Sequence, residues 1–164
     1  TEEEIKDYAA LAMAFVVLSQ GVPFIHAGQS FLRTKQGVEN SYKSSDEINQ
    51  IDWSLKDKHQ DLVNTTRDLI KLRKQHRVFR LDSNTKIKKQ IRIQTTSPEK
   101  NTIGFQLTDL NKTLCVYFKN DYEHELLTPG PDYELIFNKD HITSGHENDL
   151  VVNKPGCYIF IKED

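Results

Sequence analysis

Thr1 to Gln20 reads as a helix that is apolar on almost every side, and no other stretch constrains the fold as strongly. Thr1 followed by Glu4 makes a capping box, and the acidic Glu2 to Glu4 suit the positive end of the helix dipole. Ile5, Tyr8, Ala12, Phe15 and Val16 form one face, while Leu11, Ala14 and Leu18 fill the opposite side. A helix of that kind belongs inside a larger body. The chain offers little to cover it, so the expectation is that an N-terminal portion is missing. Thr1 at the first position, and a single methionine, Met13, inside the helix, point the same way: to a chain that begins within a longer gene product or after processing. The apolar run Tyr8 to Leu18 is short of the roughly 20 residues that cross a bilayer. It also lacks the basic flank and cleavage site of a signal peptide. No targeting segment is expected, and the compartment, cytoplasmic or secreted, stays open.

Gly21 to Trp53 comes next. Gly21-Val22-Pro23 stops the helix, Phe24 to Ala27 reads as a short apolar strand, and Gly28 ends it. Gln29 to Asp52 shows neither helical nor strand period. Connections beyond about 12–15 residues are uncommon in folded domains unless they are functional or disordered. Phe31, Leu32, Tyr42, Ile48 and Ile51 supply anchors, so an ordered functional loop is expected. Helix, short strand, loop and helix is the rhythm of an α/β unit. A lone parallel strand leaves its backbone groups unpaired, so Phe24 to Ala27 needs partners from elsewhere.

Asp57 to His76, beginning near Ser54, reads as the second strong helix, with Leu55, Leu62, Leu69, Ile70 and Leu72 as its buried stripe. Lys71, Arg73, Lys74, His76, Arg77 and Arg80 crowd its end. Cations complementing the C-terminal dipole account for that cluster better than a polyanion site does. Beyond Arg80 the period becomes two. Strands are expected at 86–95, 102–108, 113–120, 133–138, 150–152 and 157–162, separated by Pro, Gly and Asn/Asp turns. That spacing implies an antiparallel β-sandwich, with a domain boundary near Arg80 to Asn84. Cys115 and Cys157 both fall in these strands and are read as free core thiols rather than a bridge. The net charge of −2 gives no pull towards nucleic acid or membrane surfaces, and no Cys/His metal spacing occurs.

Gly21-Val22-Pro23-Phe24-Ile25-His26-Ala27-Gly28-Gln29, Phe31-Leu32-Arg33, Asn40-Ser41-Tyr42-Lys43-Ser44 and Asn49-Gln50-Ile51-Asp52-Trp53 together resemble the type I pullulanases of the α-amylase superfamily. These are debranching glycoside hydrolases. Ser30 departs from the Glu usual after Gly-Gln, which puts a polar contact at the strand end in doubt, and Ser45 stands where Pro is common. The resemblance implies an α+β chain: residues 1–80 as the end of the catalytic (β/α)8 barrel, residues 81–164 as a C-terminal β-sandwich domain. The loop after the last strand would lie on the catalytic face. A retaining glycosidase works with two carboxylates about 5–5.5 Å apart. In this family the catalytic acids come from barrel strands four, five and seven, so the resemblance assigns no catalytic residue here and no cofactor or metal. The implied substrate is an α-glucan (pullulan, glycogen or a limit dextrin) cut at α-1,6-glucosidic bonds.

Arg33, Asn40, Tyr42 and Asp46 are the candidates for lining the glucan cleft. Bidentate Arg, amide and carboxylate groups read sugar hydroxyls, and sugar faces stack on aromatic rings. Each of the polar ones could instead satisfy loop backbone. His26 is expected to be structural, and Trp53 to staple the following helix into the core. Asn64 and Asn111 fit the glycosylation pattern and carry little weight. A different class of function is a starch-binding β-sandwich without activity; its aromatic residues are Phe105, Tyr117, Phe118, Tyr122 and Tyr133, and the lack of tryptophan after residue 80 argues against an exposed sugar platform. A third is a purely structural cap on a barrel. The apolar stretch from Tyr8 to Ala27 leads to the further expectation that the isolated chain self-associates.

Overall fold

The computed structural model describes residues 1–94, 101–145 and 149–163. Helix α1 (Glu2–Leu18) has Thr1 as N-cap, and both halves of the capping box form. After the long loop come α2 (Asp46–Asn49), α3 (Ser54–Lys58) and α4 (Gln60–Gln75). The helix expected from Ser54 to His76 is therefore broken, at His59, which leaves helical geometry with φ −115° and ψ 43°. Helix α5 (Asn84–Gln90) then leads into strands β1 (Ile91–Gln94), β2 (Thr102–Asp109), β3 (Lys112–Lys119), β4 (Glu125–Leu127), β5 (Glu134–Lys139), β6 (His141–Gly145), β7 (Leu150–Val152) and β8 (Gly156–Glu163).

Six strands form one sheet in the order β1-β2-β3-β8-β5-β6, and β4 and β7 form a second, two-stranded sheet. Every pairing among the described residues is antiparallel. Strand β8 lies in the interior of the sheet and reads Cys-Tyr-Ile-Phe-Ile, buried without interruption. The continuous apolar run reflects cover on both faces. On one face Leu114, Val116, Phe118, Cys157, Ile159 and Ile161 pack with Leu11, Met13, Ala14, Val17 and Leu18 of α1 and Leu69 and Leu72 of α4. On the other, Cys115, Tyr117, Tyr158 and Phe160 pack with Leu127 and Val152 of the small sheet. Cys115 and Cys157 are buried free thiols, as expected, and they point to opposite faces.

Four expectations need correction here. The chain does hold a cover for α1, because the large sheet and α4 take its Leu11–Leu18 side. Ile5, Tyr8 and Phe15 remain exposed. The strand expected at Phe24 to Ala27 does not form: the segment lies outside every ladder, with Val22 95% and Phe24 86% exposed. An isolated strand has nothing to pair its amides and carbonyls. Residues 84–90 are helical rather than extended, since Ser83 accepts from the Lys86 amide as an N-cap and Ile87 and Ile91 share a face at helical spacing as readily as at period two. Thr95, the end of that expected strand, lies outside the described residues. Ile70 is exposed rather than part of the α4 stripe, of which Leu62, Leu69 and Leu72 are buried. Strands β4 and β6 were not foreseen.

The N-terminal half of α1 docks on the sheet through charge. Asp7, buried, accepts from Lys139 Nζ at 2.6 Å and from the Tyr122 hydroxyl at 3.1 Å, and Glu3 pairs with Lys154 at 2.5 Å. Tyr8 and Tyr122 meet edge to face at 6.2 Å.

Candidate functional site

The loop from Gly28 to Trp53 is rooted at the ends of α1 and α4. Helix α1 has no basic residue in its last turn. Arg73, from α4, takes that role: its guanidinium donates to Val17 O and Ser19 O, each at 2.7 Å, and to Gly21 O at 2.6 Å. Arg80 in turn donates to Arg73 O and Lys74 O at the end of α4. Two members of the basic cluster, Arg73 and Arg80, thus serve helix ends.

From Gly21 the backbone runs to His26 without regular structure, then turns at Gly28, where φ is +89°. A Cβ there would lie 2.6 Å from Arg33 Cβ, so glycine is required both for its dihedrals and for the approach of Arg33. Gly28 O accepts from the Phe31 and Arg33 amides at 3.1 and 3.0 Å, closing a 3-10 turn over Gln29–Phe31. Phe31 is buried and anchors the turn against α4. His26 is exposed and meets Gln29 through its backbone.

Asn49, the last residue of α2, gathers the rest of the loop. Its Nδ2 donates to Ser41 O and Ser44 O, both at 2.9 Å; its Oδ1 accepts from Lys35 Nζ at 2.6 Å. Its carbonyl accepts from the Arg33 guanidinium. Asp52 Oδ1 accepts from the amide and hydroxyl of Ser54 at the start of α3, and the Ser54 hydroxyl holds this carboxyl below the usual carboxylate range.

The four candidate residues separate in this geometry. Arg33 is half-buried and bonds backbone carbonyls, Ala27 O at 3.2 Å and Asn49 O, although its Nε is buried without a partner. Asn40 accepts from the Tyr42 amide at 3.2 Å in an Asx turn. Tyr42 is 86% exposed and so is no anchor for the loop, contrary to expectation. Asp46 is exposed at the start of α2. Trp53 also corrects its expectation: it is 64% exposed, its ring lying 5.7 Å from that of Phe31 rather than inside the core. Asn49 and Lys35 were missed, since a side chain that bonds distant carbonyls leaves no periodic signal.

Chemically, exposed aromatic rings beside carboxylates and amides suit a neutral polyhydroxylated ligand. Among the described residues no group of three His, Cys, Asp or Glu is placed to hold a metal ion. No described helix is long and apolar enough to cross a membrane. An apolar groove of about 380 Å³ lies elsewhere, between the end of α1, α5 and β1–β3, lined by residues such as Phe15, Phe79, Ile87 and Phe118, and is ill suited to sugars. Of the platform candidates of the sheet, Tyr117, Phe118 and Tyr133 are buried, and Tyr122 lies against Tyr8.

No family model matches the chain. Solved structures that share its arrangement include pullulanases: that of Bacillus acidopullulyticus superposes on 99% of this chain with a TM-score of 0.90 and 32% identity. The pullulanase of Paenibacillus barengoltzii, in complex with maltohexaose and alpha-cyclodextrin, superposes on all of it with a TM-score of 0.88 and 37% identity. The curated pullulanase of Bacillus subtilis is 49% identical over 102 residues, 62% of this chain. The chain spans 21% and 26% of the two solved structures, and the match with the Bacillus subtilis protein takes in 14% of that relative. The pullulanase resemblance of the Gly21–Trp53 motifs therefore extends over the whole chain in three dimensions.

Proposed function

We propose that this chain is the C-terminal part of a debranching glycoside hydrolase that cleaves α-1,6-glucosidic bonds in pullulan, glycogen or starch dextrins. The observation that carries this reading is the whole-chain likeness to pullulanases at 32–37% identity, one of them bound to maltohexaose. In this reading residues 1–80 close the (β/α)8 barrel and residues 81–164 are the appended β-domain. Support for the first half comes from the unpaired segment after Gly21 and from its exposed apolar stripe, Val22 and Phe24. Neighbouring barrel strands would give that segment its ladder and that stripe its cover.

The loop after the last barrel strand then borders the cleft, and Tyr42 and Asp46 meet the glucan directly. Arg33 and Asn40 act there through the loop backbone they hold. The catalytic carboxylates stand on other strands of the barrel, where a retaining pair protonates the leaving oxygen and attacks the anomeric carbon. The expected outcome is that the 164 residues release no reducing sugar from pullulan, whereas the longer protein that contains them does. Hydrolysis by the 164 residues alone would overturn the placement of the acids, and a longer protein inert on every α-1,6-linked glucan would overturn the assignment itself.

A further inference from the structure

We propose that Asn49 is a positioning residue: it fixes the apex of the loop so that Tyr42 stands out as a specificity-determining ring for the glucan chain. The inference rests on the reading that this loop borders the glucan cleft. A phenol 86% exposed on a free loop would sample many orientations, and a stacking contact would then carry the entropy of ordering it. Here the backbone around the ring is held on both sides. Upstream, the Tyr42 amide donates to Asn40 Oδ1 at 3.2 Å. The Ser41 carbonyl, just before the ring, and the Ser44 carbonyl, two residues after it, converge on Asn49 Nδ2 at 2.9 Å each. The Ser44 amide closes the same turn by donating to Ser41 O at 3.0 Å.

Asn49 is itself immobilised. Its amide donates to Ser45 O at 3.1 Å within α2, its Oδ1 accepts from Lys35, and its carbonyl accepts from Arg33, whose stem packs against Gly28. Every polar function of the residue is thereby used, and the position of residues 41–44 is referred back to the turn at Gly28. Only a side chain with two donors on one nitrogen and an acceptor beside it meets all these partners. An aspartate keeps the bond to Lys35 but sets a carboxylate against two carbonyl oxygens. Alanine removes all three contacts.

The test uses the longer, active protein and measures kcat and KM on pullulan for Tyr42→Ala, Asn49→Ala, Asn49→Asp and the Tyr42→Ala/Asn49→Ala pair, with thermal melts alongside. Tyr42→Ala is expected to raise KM about fivefold to tenfold with kcat within about twofold, the mark of lost uniform binding. Both Asn49 variants are expected to reproduce that split and to speed tryptic cleavage after Lys43, and the pair to add nothing beyond Tyr42→Ala, because one residue acts through the other. If Tyr42→Ala raises KM while Asn49→Asp keeps the original value, or if the pair shows the full product of both effects, the positioning role is wrong although the cleft reading survives. If Tyr42→Ala leaves KM unchanged, the cleft reading fails at this loop and the proposal falls with it.

Discussion

At the scale of single residues, Arg73 shows how far a side chain's role can lie from its place in the sequence. Its position in a basic run suggested a cation for the end of its own helix, and its composition alone supported that. Instead the guanidinium reaches the last carbonyls of α1 and the Gly21 carbonyl, so one planar group ends a helix and sets where the loop begins. Replacing it by glutamine leaves buried carbonyls without donors. Arg73→Gln is expected to lower stability by about 2–3 kcal/mol, read from urea unfolding. An unchanged midpoint would mean that other donors take up those carbonyls. Arg33 teaches the same lesson at the site: its residue type suits sugar recognition, but Gly28 admits its stem and the carbonyls of Ala27 and Asn49 occupy its N–H groups.

At the scale of elements, α1 is fastened in two different ways. Its C-terminal half is held by apolar packing on α4 and the sheet, its N-terminal half by Asp7 and Glu3 reaching Lys139 and Lys154. Lys139 adopts φ +60° where it makes this bond, a left-handed conformation uncommon for a lysine. Partial burial and the Asp7 carboxylate together push the Tyr122 hydroxyl up to about 12. Asp7→Asn removes the charge while keeping the shape. The expected result is a loss of about 1–3 kcal/mol, below that of a fully buried pair because Lys139 keeps contact with water, together with a fall in the Tyr122 pKa seen by ultraviolet titration of its phenolate. A Tyr122 pKa that stays near 12 would show burial alone to be responsible. The elements also show where periodicity misleads: isoleucines at 87, 91 and 93 fit a strand, but an N-cap at Ser83 starts a helix first. Strands β2, β3 and β8 gave no such ambiguity, because each is a run of eight residues rich in β-branched and aromatic side chains and bounded by turn signals.

At the scale of the molecule, acid stability follows from carboxylates held below their ordinary values. Lys119 does this for Asp121, Lys154 for Glu3 and Lys112 for Glu163, in each case chiefly by a hydrogen bond. A depressed carboxyl contributes stability that is full above its unfolded pKa, 3.8 for Asp and 4.5 for Glu, and is lost as pH falls through the folded value. His76 is lowered from 6.5, mainly by burial, so protonation of the unfolded chain begins to favour unfolding just below that pH. The thermal midpoint is expected to decline gently below pH 6.5 and steeply below 4.5, with the acid limb shallower in Asp121→Asn. A midpoint independent of pH from 7 down to about 3 would contradict these shifts.

The capped first helix, strands β2, β3, β5, β7 and β8, the two free thiols and the likeness to debranching enzymes were all determined by the sequence alone. Each depends on near neighbours: a cap on residues three apart, a strand on alternation, a motif on spacing. Tertiary structure alone decided which side of α1 is covered, that Phe24 to Ala27 stays unpaired, that Tyr42 and Trp53 face outward, and that Asn49 holds the loop together. Those outcomes depend on groups brought together from distant positions, and a pattern of polarity states that a face is apolar without naming the surface that meets it.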